Sequence, residues 1–599
     1  MVGRVRARVL SPLQGPYVEV QVYGETRDQD LFAHWEERIF SHITIKGLVA
    51  DSGANVPSTA WSEALALTML PNFRPVVLKC TNDRELSVLK TYADFWKIPF
   101  QISNNGGAES TIFTSDRATA TDRSRSTVIL SPVGKKEFEK TASEYGAKVS
   151  SEKRLIQLPV RRGIMVSLTT DVYEFSGSGI EHILKTDGSP ILSRVRGTGV
   201  HLLSVDLVTE YERLVNEGLE EIPSWKFRIV SRLPLSYGAV PLFIRNRAFR
   251  SREGVAKIKE ENLGPVESLR SIFLATLVKC SGPIPRLGFW RRGKSYALAV
   301  THDVETAAGL TDGTDRLMEV EESLGIRSTW NVPSDRYPLY AVSLTRLREV
   351  GEIGAHDTKH DGRLLFSSSE EKIRRVAKCK DKLERLTGQK IRGFRAPLLQ
   401  HNKGLLQALS HAGYQYDSSC PSWEILSPTS LHPHGVGTIF PFYADGILEV
   451  PVSLPQDHQL IRVAGQKTSD AVDLLIRLSR WIRGLGGACI LLTHPDYDFG
   501  NAENRDEYYR LLDSFRSDPE CDIMTLGEIV DWWNLRNRAR IQLGGDHVSI
   551  VSQDTEKLTR DLQVELVTDY GEDGFKVAGV SPVGLASSSS SSQASHFVG

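Results

Sequence analysis

The sequence predicts an α/β protein: a (β/α) barrel of seven to eight strands, preceded by a separate three-layer α/β domain and followed by a small β-rich appendage. Three observations predict it. Short apolar runs alternate with amphipathic helical patterns along residues 295–538, at the size of a barrel. Ionisable residues gather where those runs end, while the runs themselves are apolar. The chain has 599 residues, 40% hydrophobic and 25% charged, which is the balance of a soluble globular protein and excludes a chain disordered throughout.

Residues 1–280 read as an α/β domain. Arg74–Cys80 is a buried strand, and Leu86, Leu89, Ala93 and Trp96 recur at helical spacing until Pro99. Ser126–Pro132 is a strand, followed by a helical stretch to Tyr145 that stops at Gly146. Ile164–Leu168 and Val200–Val208 repeat the strand signal, and Glu210–Glu217 is a helix. No G-x-G-x-x-G and no P-loop occur there, so nucleotide binding gains no support. Ser281–Lys294, with two prolines, three glycines and a basic cluster, reads as a connector.

In the barrel region, 295–538, the expected strands are Ser295–Thr301, Arg327–Val332, Glu352–Ala355, Ile391–Arg395, Gln415–Ser418, Leu448–Val452, Cys489–Thr493 and Asp522–Thr525. Glu370–Leu386 and Ala471–Leu485 are helices between them. Residues 540–585 form a small β-rich extension with strands Val548–Val551 and Leu562–Val567. The tail, 586–599, carries six consecutive serines and is expected to be disordered.

Lys plus Arg is 73 and Asp plus Glu is 74, a net charge of -1, so a nucleic-acid partner is not expected. The six cysteines form no C-x-x-C pair and read as reduced thiols. No apolar run reaches a membrane span, and the first fifteen residues lack the apolar core of a secretory signal, so the expected compartment is cytoplasmic. The oligomeric state is not legible.

The strand ends carry the chemistry. Asp303 and Glu305 end the first strand and share a face by strand parity. His356 and His360 end the third, at a spacing that puts both imidazoles on one face of a helical turn, able to grip one metal ion. Two His and one carboxylate leave coordination positions open on a catalytic zinc ion. Arg395 and Pro397 end the fourth strand, and Arg395 placed near Asp303 would keep that carboxylate ionised. Asp417 ends the fifth, where it would orient His494 at the end of the seventh. Trp423 could line a sugar site or belong to the core.

These five segments, in this order, resemble the five motifs of the polysaccharide deacetylase superfamily (carbohydrate esterase family 4, NodB-homology domain), over about Pro285 to Leu535. The resemblance implies a barrel hydrolase in which Asp303 is the base, Glu305, His356 and His360 hold a divalent metal ion, expected to be zinc, and Arg395 with Pro397 forms the third motif. Asp417 and Trp423 match the fourth motif, and Leu492 with His494 the fifth, whose His is the general acid. Trp423, Pro397 and Leu492 would contact substrate. The expected activity is removal of acetyl groups from N-acetylated, or O-acetylated, sugars. The alternatives are hydrolysis of a non-sugar linear or cyclic amide, and an inactive carbohydrate-binding relative. Three departures stand out: Glu305 where the family usually has Asp, Asp357 where Ser or Thr follows the first His, and Leu398 where Tyr follows the Pro.

Overall fold

The main sheet grows from one apolar strand, Tyr296–Asp303 (β1), buried at every residue. Its neighbours are Ser328–Val332 (β2), Gly351–Ala355 (β3), Gly393–Phe394 (β4), Tyr416–Asp417 (β5), Phe442–Ala444 (β6), Ile447–Glu449 (β7), Ala488–Thr493 (β8) and Cys521–Ile523 (β9). The order is β6-β7-β5-β4-β3-β2-β1-β8, with β9 also on β1, and all pairs are parallel except β6 with β7. This computed structural model describes residues 2–9, 18–25, 76–102, 110–121, 127–232, 258–544, 547–551 and 561–580.

The expected closed barrel is not what forms. No strand ladder joins β7 to β8 among the described residues. The chain beyond β7 approaches β8 instead: Leu454 N donates to Ile490 O at 3.3 Å. The Ser453 hydroxyl donates to Ala488 O at 2.6 Å and accepts from Ile490 N at 2.8 Å. One backbone bond and one side chain thus stitch the seam where no strand ladder runs.

Helices follow the strands for ordinary reasons. Ser369–Thr387 is started by the Ser368 side chain, which accepts from Glu371 N, and stopped by Gly388 at φ 66°. Leu526–Arg538 opens with a capping box between Thr525 and Glu528.

The first domain is built on a seven-stranded sheet. Phe100–Ile102, Val76–Lys79, Thr111–Thr114, Thr127–Leu130 and Val200–Leu203 run parallel, and Ser189–Val195 and Ile180–Thr186 add antiparallel strands. A separate long hairpin pairs Lys148–Arg161 with Ile164–Ser176.

This domain is not separate from the main sheet. One hydrophobic cluster runs from Val76 and Tyr92 through Phe273 to Leu298 and Ile490. At its centre lies the helix Pro265–Ser281, buried at every residue from Val266 to Val278. Its charged members meet the loop before β6: Glu267 accepts from Thr438 Oγ1 at 2.8 Å and Ile439 N at 2.9 Å, and Arg270 donates to Thr438 Oγ1 at 2.9 Å. The expected connector also has a structural role. Ile284–Leu287 is a buried strand that pairs with Val564–Gly571, which pairs in turn with Gly574–Val580. The serine run lies outside the described residues. No described helix is long and apolar enough to cross a membrane.

Candidate active site

Alternation along β1 sorts its end. Thr301 and Asp303 face one way and His302 the other. His302 sits between Thr493 Oγ1 at 2.8 Å and Glu321 Oε1 at 2.8 Å, stacked on Trp330. It supports the strand from behind and takes no part in the site.

Asp303 is held from two sides. Asn331 Nδ2 donates to its Oδ1 at 2.9 Å, and Arg395 Nη1 lies 3.4 Å from the same oxygen. Arg395 is fully buried and fixed in turn, donating to Thr301 Oγ1 at 3.0 Å and Ser418 Oγ at 2.8 Å. Burial favours the neutral acid, but the neighbouring His356, the Arg395 guanidinium and His494, with the Asn331 hydrogen bond, outweigh it and hold the Asp303 carboxyl below its ordinary value.

Glu305, His356 and His360 converge, with one potential ligand atom from each all within 4.8 Å of one another. Glu305 Oε1 lies 2.9 Å from His360 Nε2, and His356 Nε2 lies 3.9 Å from Asp303 Oδ2. His356 Nδ1 bonds the Arg395 carbonyl at 2.8 Å. A carbonyl only accepts, so the ring hydrogen is on Nδ1 and Nε2 presents a lone pair; a metal-ligating imidazole usually donates its other ring N–H to a carbonyl in this way. That Nε2 is buried without a hydrogen-bond partner among the described residues. Burial, with His360 beside it, pulls His356 down to about 4, so the ring is neutral at pH 7. Burial alone would raise Glu305, but its contact with His360 keeps the carboxylate well below the usual range. A neutral imidazole with a buried free lone pair, a second imidazole and an ionised carboxylate fit a divalent cation such as zinc.

The helical turn expected for the His pair is absent. Residues 356–360 are loop, with Asp357 at φ 61° and His360 at φ 51°. The two rings still meet, with centroids 5.0 Å apart. Asp357 is turned away from them by Arg375, whose Nε donates to its Oδ1 at 3.1 Å.

His494 follows β8. Its Nδ1 lies 2.7 Å from Asp457 Oδ1, and its backbone N donates to Asp457 Oδ2 at 3.0 Å. Tyr497 stacks on the ring at 4.8 Å. Burial alone would lower the imidazole, but the charge and hydrogen bond of Asp457, with Glu305 and Asp303, raise it to about 10.

Asp457 is the residue that sequence reasoning missed, and it displaces Asp417 from the expected role. β5, which carries Asp417, lies well inside the sheet, whereas the chain beyond β7 runs along the seam beside β8. Asp417 instead accepts from Ser419 Oγ at 2.6 Å and packs against Glu449, whose other oxygen accepts from Cys420 N at 2.9 Å. Burial pushes both carboxyls up. The available signal for Asp457 was its place shortly after the mostly apolar stretch 447–454.

The expected substrate contacts fare unevenly. Leu492 is 1% exposed in a small cluster with Leu399 and Val452, so it packs and does not face a ligand. Pro397 is buried at a tight turn that puts Leu398 at φ 60°. Trp423 is half-buried against the main core.

Residues 292–416 match the family model described as polysaccharide deacetylase. No curated protein matches the chain. Among solved structures, the peptidoglycan deacetylase PdaC from Bacillus subtilis is 15% identical over 41% of this chain and 94% of its own, with a TM-score of 0.29. The chitin deacetylase of the fungal pathogen Colletotrichum lindemuthianum is 15% identical over 40% of this chain and 89% of its own, TM-score 0.29. A CE4 family pseudoenzyme from Bacillus anthracis is 15% identical over 41% of this chain and 68% of its own, TM-score 0.28.

Proposed function

We propose that this chain, whose segment 292–416 belongs to the polysaccharide deacetylase superfamily, is a metal-dependent hydrolase that removes acetyl groups from N-acetylated sugars. The observation that carries the reading is the convergence of Glu305, His356 and His360 next to a held carboxylate, Asp303, and a carboxylate-paired imidazole, His494.

A divalent ion bound by Glu305, His356 and His360 supplies Lewis-acid charge to an acyl oxygen and acidifies water. Asp303, kept ionised by Arg395 and oriented by Asn331, takes the proton of the attacking water. His494, kept as imidazolium by Asp457, gives a proton to the departing nitrogen. An amide requires that acid, because an amine anion is a very poor leaving group. The same set would cleave an acetyl ester, with less dependence on His494.

The test is a substrate screen of the zinc-loaded protein, scored for free acetate and free amine together. Stoichiometric release of both from N-acetylated sugar oligomers is expected. Amine or ring-opened product without acetate would move the reading to a non-sugar amide. No product from any acetylated or amide substrate, with zinc bound, would leave an inactive carbohydrate-binding relative.

A further inference from the structure

Three electron-rich atoms from three segments meet where the first domain docks on the main sheet. His401 lies just past the turn that follows β4, and His434 lies in the loop between β5 and β6. Gly218 is in the last turn of the first domain's helix Leu207–Leu219. His401 Nε2 is 2.8 Å from the Gly218 carbonyl oxygen and 3.0 Å from His434 Nε2, and His434 Nε2 is 3.1 Å from the same oxygen. His401 is 1% exposed, so water does not relieve the contact.

No placement of hydrogens satisfies all three edges of this triangle. His401 Nδ1 lies 2.7 Å from the Leu399 carbonyl oxygen, which only accepts, so Nδ1 carries hydrogen. In the neutral ring, Nε2 is then a lone pair aimed at the lone pairs of Gly218 O. A second proton on His401 serves its edges to Gly218 and His434. It leaves His434 Nε2 against Gly218 O, lone pair to lone pair, at 3.1 Å. A hydrogen on His434 Nε2 instead serves its edges to Gly218 and His401 and leaves His401 Nε2 against Gly218 O, lone pair to lone pair, at 2.8 Å. A hydrogen on both Nε2 atoms sets two N–H groups head to head at 3.0 Å. A metal ion serves all three edges at once. Ligand atoms roughly 2.0–2.1 Å from an ion, at 90–109° to each other, are about 2.9–3.4 Å apart, close to the three separations here. The His401 Nδ1 bond to a backbone carbonyl repeats the arrangement of His356.

We propose that His401, His434 and the Gly218 carbonyl hold a divalent transition-metal ion that pins the first domain to the main sheet. Imidazole nitrogens with a carbonyl oxygen suit zinc, nickel or copper(II). The approach is built for it: a Cβ on residue 218 would lie 2.5 Å from Val436 Cα, so only glycine brings that carbonyl up to the imidazoles. The site is independent of Glu305, His356 and His360 and of the chemistry proposed there.

Zinc equivalents per chain, measured on full-length protein after loading and desalting, test it. His434→Gln is expected to lose one equivalent relative to the unsubstituted chain, whatever the other site holds. No loss overturns the proposal and leaves a hydrogen on one Nε2 as what the triangle shares. A second measurement covers the case in which His434→Gln does not fold. In the His356→Ala/His360→Ala protein, zinc is expected still to raise the thermal midpoint. A midpoint indifferent to zinc there overturns the proposal equally.

Discussion

Glu305 reaches about 1.5 Å further from the backbone than an aspartate would, one C–C bond, while metal–oxygen distances tolerate only about 0.2 Å. The backbone that carries it is fixed in place: Asp496 accepts from Glu305 N at 2.7 Å and also from the Thr306 hydroxyl. Glu305→Gln should weaken zinc binding at least tenfold, about 1.4 kcal/mol, by chelator competition. Asp357→Asn should leave that constant within a few-fold, because the Asp357 carboxylate belongs to Arg375. Its cost should appear in stability instead, about 3 kcal/mol by chemical denaturation, the low end for a broken buried pair since Asp361 stays on Arg375 at 2.8 Å. For the acid, the competent form of His494 is the imidazolium. Removing the Asp457 charge leaves burial free to lower the ring, so the competent form is lost at lower pH. Asp457→Asn should therefore move the alkaline limb of the kcat profile down by roughly 1–3 units, whereas Asp417→Asn should leave it in place. A limb that follows Asp417 would restore the role the sequence suggested. Asp303, Glu305, His356, Arg395 and His494 were legible because each ends an apolar run. Asp457 was not: it precedes His494 by a long helical excursion, and Asp417 occupies an equally plausible strand end. Leu492 misled because a motif position was read as a contact, when β8 is buried on both faces.

At the scale of elements, each strand expected in 295–538 forms, with ends shifted by at most three residues, because a continuous apolar run bounded by turn residues leaves little choice. Closure was not legible, since it depends on how the chain beyond β7 meets β8, and that contact falls to one backbone bond and the Ser453 side chain. The helical turn at 356–360 failed for a related reason: spacing gives a periodicity but not the left-handed residues that the Asp357–Arg375 pair holds in place. The loop bearing Glu305 is gripped from the opposite side of the sheet end. A Cβ on Gly313 would lie 1.9 Å from Pro495 O, and one on Gly309 would lie 2.1 Å from Asp496 Oδ1. Gly313→Ala should push the ligand-bearing loop off the His494 loop, destabilise the fold by about 1–3 kcal/mol, and lower kcat in proportion to the zinc it fails to keep. Metal content and turnover measured on the same sample check this. Full activity with a lowered thermal midpoint would confine the glycine to packing.

Across the whole molecule, the sequence suggested two bodies joined at Ser281–Lys294, and the structure joins them through one core. The helix Pro265–Ser281 explains why the division looked plausible. It is buried on all sides, so it shows no amphipathic stripe to assign it to either body, and its buried Glu267 and Arg270 interrupt the pattern. A fragment beginning at Ser281 should lose this helix, bare the apolar surface it covers and aggregate, where the full chain stays soluble. Soluble yield and a cooperative melt of that fragment decide it. A monomeric, cooperatively melting fragment would show the shared core to be dispensable. The stitched seam has a consequence of its own. The same few contacts that draw the chain beyond β7 onto β8 also bring Asp457 to His494. A transient parting of that edge, far short of unfolding, would switch the proton donor off while leaving the ligand triad assembled. Breathing of the sheet and the readiness of the acid are thus one motion, to be followed by deuterium exchange at the Ile490 and His494 amides.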